Sequence, residues 1–467
     1  MLKINDKEIK NANDLKEIVE KDVSILKEFK YKHEINKSDI RTYNLYMYVC
    51  IYGTPEMLKY LEPHFSNIKD FKDEQNSDLY LIASSSGNLE VMKYLEKKHN
   101  WDIHVRNNYG NDAYLIAYIN KQLEIMKYLE KEHNWDVHVR NNYGTDVYLC
   151  ASFNGDLEIM KYLEKEHNWD IHIKNTDGYD AYLCASRSGQ LEIMKYLEKE
   201  HNWEIRVRNN YGNDAYLCAS FNGHLEIIKY LEKEHNWDID LKNNDGYDAY
   251  LGASRNAQLE IMKYLEKEHN WDIHVIDNYE NDAYLCASFN GHLEIMKYLE
   301  KEHNWDIHIQ NDDGYDAYLC ASRSGQLEIM KYLEKEHNYD IYVKNNYEED
   351  AYFCALYCNK LEIIKYLDET HNWTTHDYLY EGNNEEILNY LTKIKINKKK
   401  KNIKRIKKCS CDQCIICLEY FNKGIDYTFN CVNGHYFHED CQLNLDNHEK
   451  CCICKEDIII NYLFLYE

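Results

Sequence analysis

Leu191-Glu192-Ile193-Met194-Lys195-Tyr196-Leu197-Glu198-Lys199-Glu200-His201-Asn202-Trp203 decides how this chain is built, because it does not occur once. The same thirteen residues begin again at Leu123, Leu157, Leu259 and Leu293, with close variants at Leu89, Leu225, Leu327 and Leu361. Every start lies 34 residues after the one before. Glu56, 34 residues ahead of Glu90, carries the register back one more step, with Pro55 in place of the leucine. A fixed period of this size marks a solenoid: one unit cannot bury a core alone, and its neighbours supply the missing faces.

The segment itself reads as an amphipathic helix. Leu191, Ile193, Met194 and Leu197 form its apolar face, and Glu192, Lys195 and Glu198 are expected to face water. A shorter helix precedes it in each unit, opening at Asp78, Asp112, Asp146, Asp180, Asp214, Asp248, Asp282, Asp316 and Asp350. Aspartate suits that position because its carboxylate accepts orphan amide hydrogens and complements the positive helix end. Ala181–Ser186, Ala-Tyr-Leu-Cys-Ala-Ser, supplies small residues for close packing, and Gly189-Gln190 breaks the chain before the longer helix. Turns such as Asn209-Asn210-Tyr211-Gly212 and Asn243-Asn244-Asp245-Gly246 provide a residue able to take positive φ.

At these residues the chain resembles the ankyrin repeat. Asp177-Gly178-Tyr179-Asp180-Ala181-Tyr182-Leu183-Cys184-Ala185-Ser186 follows the family's G-x-T-P-L-H-x-A-A pattern, with Asp for the capping Thr, Ala for Pro and Leu for His. Gly189-Gln190-Leu191-Glu192-Ile193 is similar to its G-H-L-E-V start of the second helix. One extra residue in the His-Asn-Trp-Asp loop lengthens the family's repeat of about 33 residues. Tetratricopeptide repeats share the 34-residue period, but their tryptophan and proline placement does not fit. The resemblance covers residues 43–392, and the Asn-, Ile- and Tyr-rich style resembles repetitive ankyrin proteins of giant amoeba-infecting DNA viruses. In such an origin the protein would act in a host cell.

Several periodic side chains look like chemistry and are expected to be structural. Trp101, Trp135, Trp169, Trp203, Trp237, Trp271 and Trp305 occur once per unit and read as core plugs. His133 and His138 belong to the same periodic loop. Cys150, Cys184, Cys218, Cys286, Cys320 and Cys354 repeat likewise, with Gly252 breaking the series, and read as buried fillers too far apart to share a disulfide. A 68-residue super-period alternates Phe153, Arg187, Phe221, Arg255, Phe289 and Arg323 at the end of the first helix. Duplication of a two-unit block accounts for it. So does an aromatic-and-arginine groove for a protein partner, made of the residue types that dominate binding hot spots.

The array is flanked by less regular stretches. In residues 1–42, Leu15, Ile18, Val19, Val23 and Leu26 recur at helical spacing and predict a helical cap. The array decays after Leu361, with Asp377-Tyr378-Leu379 and Glu386–Leu391 read as a shortened last unit. Residues 393–408 then hold ten Lys or Arg and no acid, in a chain of net charge −25. A solvated linker and a nuclear-import or polyanion-binding patch both fit. No aromatics interleave these lysines, so RNA readout by stacking is not expected. No apolar run reaches the length of a membrane span, and Met1–Glu8 lacks a secretory h-region. Eight of the 17 cysteines precede Cys409 and nine lie at or after it, a split that predicts a reducing, intracellular setting, cytoplasmic or nuclear.

The last stretch is where reactive residue types concentrate. Cys414-x-x-Cys417, Cys431-x-x-x-His435, His438-x-x-Cys441 and Cys451-x-x-Cys454 give eight ligands in four pairs, enough for two tetrahedral zinc ions. Cys409, Cys411 and His448 are spare candidates. The order resembles a RING finger of the two-histidine type. That resemblance implies interleaved sites, with Cys414, Cys417, His438 and Cys441 on one ion and Cys431, His435, Cys451 and Cys454 on the other. Closed four-ligand sites are structural, so the metal itself would catalyse nothing. The family docks a ubiquitin-conjugating enzyme, which by resemblance assigns docking to Ile416, Leu445 and Cys452. Lys455 stands where the family has an arginine that bridges to ubiquitin. Leu445 and Cys452 replace the usual Trp and Pro, and lysine lacks arginine's planar fork.

The expected architecture is thus an all-α ankyrin-repeat solenoid with a small C-terminal two-zinc RING-like domain. Its parts are a cap (1–42), an array of about ten units (43–392), a basic linker (393–408) and the zinc module (409–467). Two functions fit: a RING-type ubiquitin ligase whose array recruits a protein substrate, or a non-catalytic scaffold with a structural zinc module.

Overall fold

The computed structural model describes residues 2–4, 7–9, 46–47, 49–62, 68–371, 373, 384–393, 428–430 and 436–438. The chain divides into two units, Met1–His371 and Asn372–Glu467. In the first, helical residues at 49–52 and the helix Pro55–Leu61 precede nine helix pairs, running from Leu79–Ser86 with Leu89–His99 to Ala351–Tyr357 with Leu361–His371. Among the described residues, strands occur only as the hairpins 2–9 and 428–438. Leu2–Ile4 pairs antiparallel with Lys7–Ile9, with Leu2 opposite Ile9. The helical forecast for the cap rests on Leu15–Leu26, which lie outside the described residues.

The 181–203 unit shows why the pattern folds. Asp180 is extended (φ −93°, ψ −176°) and its Oδ1 accepts the Leu183 amide at 2.9 Å. Gly189 takes φ 81° to end the first helix, and Asn202 takes φ 48° to end the second. The first helix is enclosed on all sides by its neighbours: Ala181, Tyr182, Leu183, Cys184, Ala185 and Ser186 are all buried. Ser186 Oγ donates to the Ala215 carbonyl at 2.6 Å, which ties that helix to the start of the next. The second helix buries only Ile193, Met194 and Leu197, with Leu191 part-exposed.

Turns from successive units are bonded in a ladder. The Asn210 amide donates to the Asp177 carbonyl at 2.9 Å, and its Nδ2 donates to the Thr176 carbonyl at 2.9 Å. The approach is close enough that a Cβ on Gly178 (φ 82°) would stand 2.8 Å from the Asn210 nitrogen. Each unit therefore contributes hydrogen bonds as well as apolar surface to its neighbour. In the second unit, helical residues 385–393 begin at Asn384, whose Oδ1 accepts the Glu386 amide at 3.0 Å, and Ile387 is buried. Asp377–Leu379 and the linker from Ile394 on lie outside the described residues.

Candidate functional site

Glu198 does not face water, contrary to the amphipathic reading. Its side chain is 15% exposed. Oε1 accepts the Tyr182 hydroxyl at 2.6 Å, Oε2 accepts the Tyr230 hydroxyl at 2.6 Å, and His235 Nε2 lies 3.0 Å from Oε2. Tyr182 belongs to the same unit; Tyr230 and His235 come from the next. Burial first, and the carboxylate second, push the Tyr182 hydroxyl well above its ordinary pKa, so it remains a donor. Equivalent grips hold Glu96 (Tyr80, Tyr128, His133) and Glu334 (Tyr318, Tyr366, His371). His133 is thus a staple between units and not a metal ligand. Sequence reading missed the network because a helical plot assigns every charged residue outward.

Several tryptophans are plugs with a polar handle, although the buried Trp169 Nε1 has no hydrogen-bond partner among the described residues. Trp101 Nε1 donates to the capping Asp78 at 2.8 Å, and Trp305 Nε1 to Asp282 at 3.0 Å. Histidines of the preceding loop cover the rings: His138 on Trp169 at 4.3 Å and His172 on Trp203 at 4.7 Å between centroids. Trp271 departs from the series and is only part-buried. The repeating cysteines are free thiols, buried except for part-buried Cys150 and Cys358. Burial pushes Cys150 and Cys354 up to about 12, which removes them as nucleophiles at neutral pH.

The super-period alternates partly exposed rings with stacked guanidinium groups. Phe153 and Phe289 are 44% and 43% exposed, large values for apolar rings. Phe221 is part-buried, and the reason is Gly252: a Cβ there would lie 1.7 Å from Phe221 Cε1, so the ring fills the place a cysteine side chain takes in other units. The arginines are each laid on a tyrosine. Arg187 lies 5.1 Å over Tyr179, Arg255 4.8 Å over Tyr247 and Arg323 5.0 Å over Tyr315. Those tyrosines precede the capping aspartates only in arginine units; Thr145, Asn213 and Asn281 stand there in phenylalanine units. Turn tips alternate too, between exposed Tyr143, Tyr211 and Tyr279 and the acids Asp177, Asp245 and Asp313. The Tyr211 hydroxyl donates to Asp177 at 3.2 Å across one such step.

Of the eight zinc-ligand positions, only His438 falls among the described residues, at the end of the strand Tyr436–His438. That strand pairs antiparallel with Thr428–Asn430, with Asn430 opposite Tyr436. The connection between them runs from Cys431 to His435, two positions assigned to one ion. The other ligands, and Ile416, Leu445, Cys452 and Lys455, lie outside the described residues. Among the described residues no group of His, Cys, Asp or Glu is arranged to hold a metal, and no helix is long and apolar enough to cross a membrane.

A family model for ankyrin repeats (3 copies) matches residues 46–141, 79–174, 147–245, 250–345 and 284–377. A search of curated proteins gave no match.

Proposed function

This chain belongs to the ankyrin-repeat family, and from that premise we propose that it recruits a protein on its array and presents it to a ubiquitin-conjugating enzyme docked on residues 409–467. Ankyrin arrays are protein-interaction scaffolds, and this part of the reading rests on the family itself. The ligase part rests on one observation, the order Cys-Cys-Cys-His-His-Cys-Cys-Cys from Cys414 to Cys454. Two zinc ions held by these residues would fold the module and leave catalysis to the conjugating enzyme.

The array has an arrangement suited to a partner: exposed rings at Phe153 and Phe289 alternate with the stacked guanidinium groups of Arg187, Arg255 and Arg323. Phe221 is set deeper beside Gly252, so the outer two rings are the better anchors. On the module, Ile416 would dock the conjugating enzyme. Leu445 and Lys455 favour the second reading, a scaffold whose module does not transfer ubiquitin.

A ubiquitination assay across a panel of conjugating enzymes, paired with a pull-down from the same preparations, tests the division of labour. Ile416→Ala should abolish transfer and spare partner capture. Phe153→Ala with Phe289→Ala should weaken capture by ~2 kcal/mol or more and spare autoubiquitination. No transfer by wild-type protein with any enzyme, while capture persists, would replace the ligase reading with the scaffold.

A further inference from the structure

The loop after the second helix is copied closely from Asn100 onward, and among those copies one breaks a shared rule. Two residues after an acid in this loop comes a side chain that lies on the tryptophan or tyrosine of the next unit. His104 covers Trp135 at 4.8 Å, His138 covers Trp169 at 4.3 Å and His172 covers Trp203 at 4.7 Å. His274 covers Trp305 at 4.9 Å and His308 covers Tyr339 at 4.9 Å. In one unit the cover is a guanidinium, Arg206, 5.0 Å over Trp237. Position 240, whose ring partner would be Trp271, is aspartate.

The backbone there is not different. The Asp240 amide donates to Asp238 Oδ1 at 3.3 Å, as His172 donates to Asp170 at 3.1 Å and Arg206 to Glu204 at 3.1 Å. A short carboxylate therefore stands where a planar ring or guanidinium stands in the other units, and it cannot stack. Burial differs at the same place. Trp135, Trp169, Trp203, Trp237 and Trp305 are each 6–7% exposed, whereas Trp271 is part-buried and Asp240 is exposed. Trp101, whose counterpart 31 residues earlier is Asp70 in the short 3-10 helix Ile68–Asp70, with Ile68 in place of the acid, is 7% exposed. Among the described residues no ring or cation covers Trp271. Duplication does not account for the substitution: the two-unit relatives of position 240 are His172 and His308, and its neighbours along the array are Arg206 and His274.

We infer that Trp271 and Asp240 form a receptor for a guanidinium carried by a binding partner, an arginine side chain above all. The partner's cation would take the place that Arg206 occupies on Trp237, stacked on the indole face, and its charge would meet the Asp240 carboxylate. Indole is the best aromatic face for a cation, and arginine can stack and form hydrogen bonds in its own plane at once. The site does not depend on the zinc module, so it stands or falls apart from the ligase reading.

The test uses full-length protein with ¹⁵N-labelled tryptophan, titrated with N-acetyl-argininamide and read on the indole Nε1–H resonances. The expected result is a saturable shift of the Trp271 resonance alone. Asp240→Asn should weaken it about tenfold, a loss of roughly 1.4 kcal/mol. Asp240→His should abolish it by supplying the missing cover, and should also cut acrylamide quenching of Trp271 towards that of its neighbours. N-acetyl-citrullinamide, which has the shape without the charge, should give no response. The inference is overturned by shifts spread over all tryptophans, by an unchanged response in Asp240→His, or by an equal response to citrulline. A stronger response to the trimethyllysine amide overturns the guanidinium assignment.

Discussion

Glu198→Ala removes one buried carboxylate from the joint between two units, and its effect can be sized from the geometry. The carboxylate is 15% exposed and accepts two tyrosine hydroxyls at 2.6 Å, with His235 at 3.0 Å. A hydrogen bond to a charged group contributes about 1.5–3 kcal/mol, and a donor left without a partner adds its desolvation cost. Tyr182 is fully buried, so its hydroxyl gains little from water after the change. His235 is 21% exposed, which screens its share. A total loss of ~3–4 kcal/mol follows, most of it in coupling between neighbours. Urea unfolding followed by circular dichroism should show a lower midpoint and a broader or split transition, because a weakened joint lets the two sides unfold separately. Glu200→Ala is the control: Glu200 pairs only with exposed Lys199, at 3.4 Å, and should leave the curve unchanged. A double-mutant cycle with Tyr230→Phe should give a coupling of about 1–2 kcal/mol. If Glu198→Ala moves the midpoint no further than Glu200→Ala, or the cycle shows no coupling, the carboxylates do not hold the array together.

Gly252→Cys restores the repeat's usual residue and yet should destabilise by about 1–3 kcal/mol, because its side chain would displace Phe221; adding Phe221→Leu should recover most of the loss in the same melt. Asp180→Ala should cost about 1 kcal/mol through loss of the cap, whereas Asp180→Asn keeps an acceptor. Burial holds the Asp180 carboxyl above its ordinary pKa, so its contribution is largest in acid and declines as pH rises through that value. Asp180→Asn should therefore gain on wild type as pH rises above the ordinary carboxyl range, and a difference that is flat or falls with pH refutes the burial argument. Elemental analysis should find two zinc ions per chain, and Cys431→Ala should unfold residues 409–467 without moving the array's transition; one ion, or iron, counts against the ligand set.

The period, the capping aspartates and the buried tryptophans were legible because each is a local pattern repeated at a fixed interval. Asp180 needs only its own helix start to act as a cap, and that is written in ten consecutive residues. The Glu198 staple was not legible. Its donors stand 16 residues before it and 32 and 37 residues after it, and all three recur at the unit period with everything else. Only the stacking of one unit on the next says which of the recurring residues meet. Gly252 was visible as a break in the cysteine series, but what fills the gap is a ring from the preceding unit. The C-terminal ligand pairs, by contrast, are read from spacing alone, and of the eight positions only His438 lies among the described residues.

The super-period then takes a more definite meaning. Copying a two-unit block explains how phenylalanine and arginine came to alternate, but not why the residue before the cap changes with them. The stacking explains that: an arginine at the helix end occurs where Tyr179, Tyr247 or Tyr315 offers it a ring, and a phenylalanine occurs where a polar residue does not. The two positions are one structural choice. A guanidinium laid on a ring keeps its in-plane donors available while losing freedom to move, so the arginines are oriented before any partner arrives. Alternating with them in the array are Phe153 and Phe289, both exposed. A partner that fits this face must offer acceptors and apolar groups in alternation, in step with two units of the array. That requirement is stricter than affinity for either residue type alone, and if the array takes a partner on this face, as proposed, the alternation itself would set its selectivity.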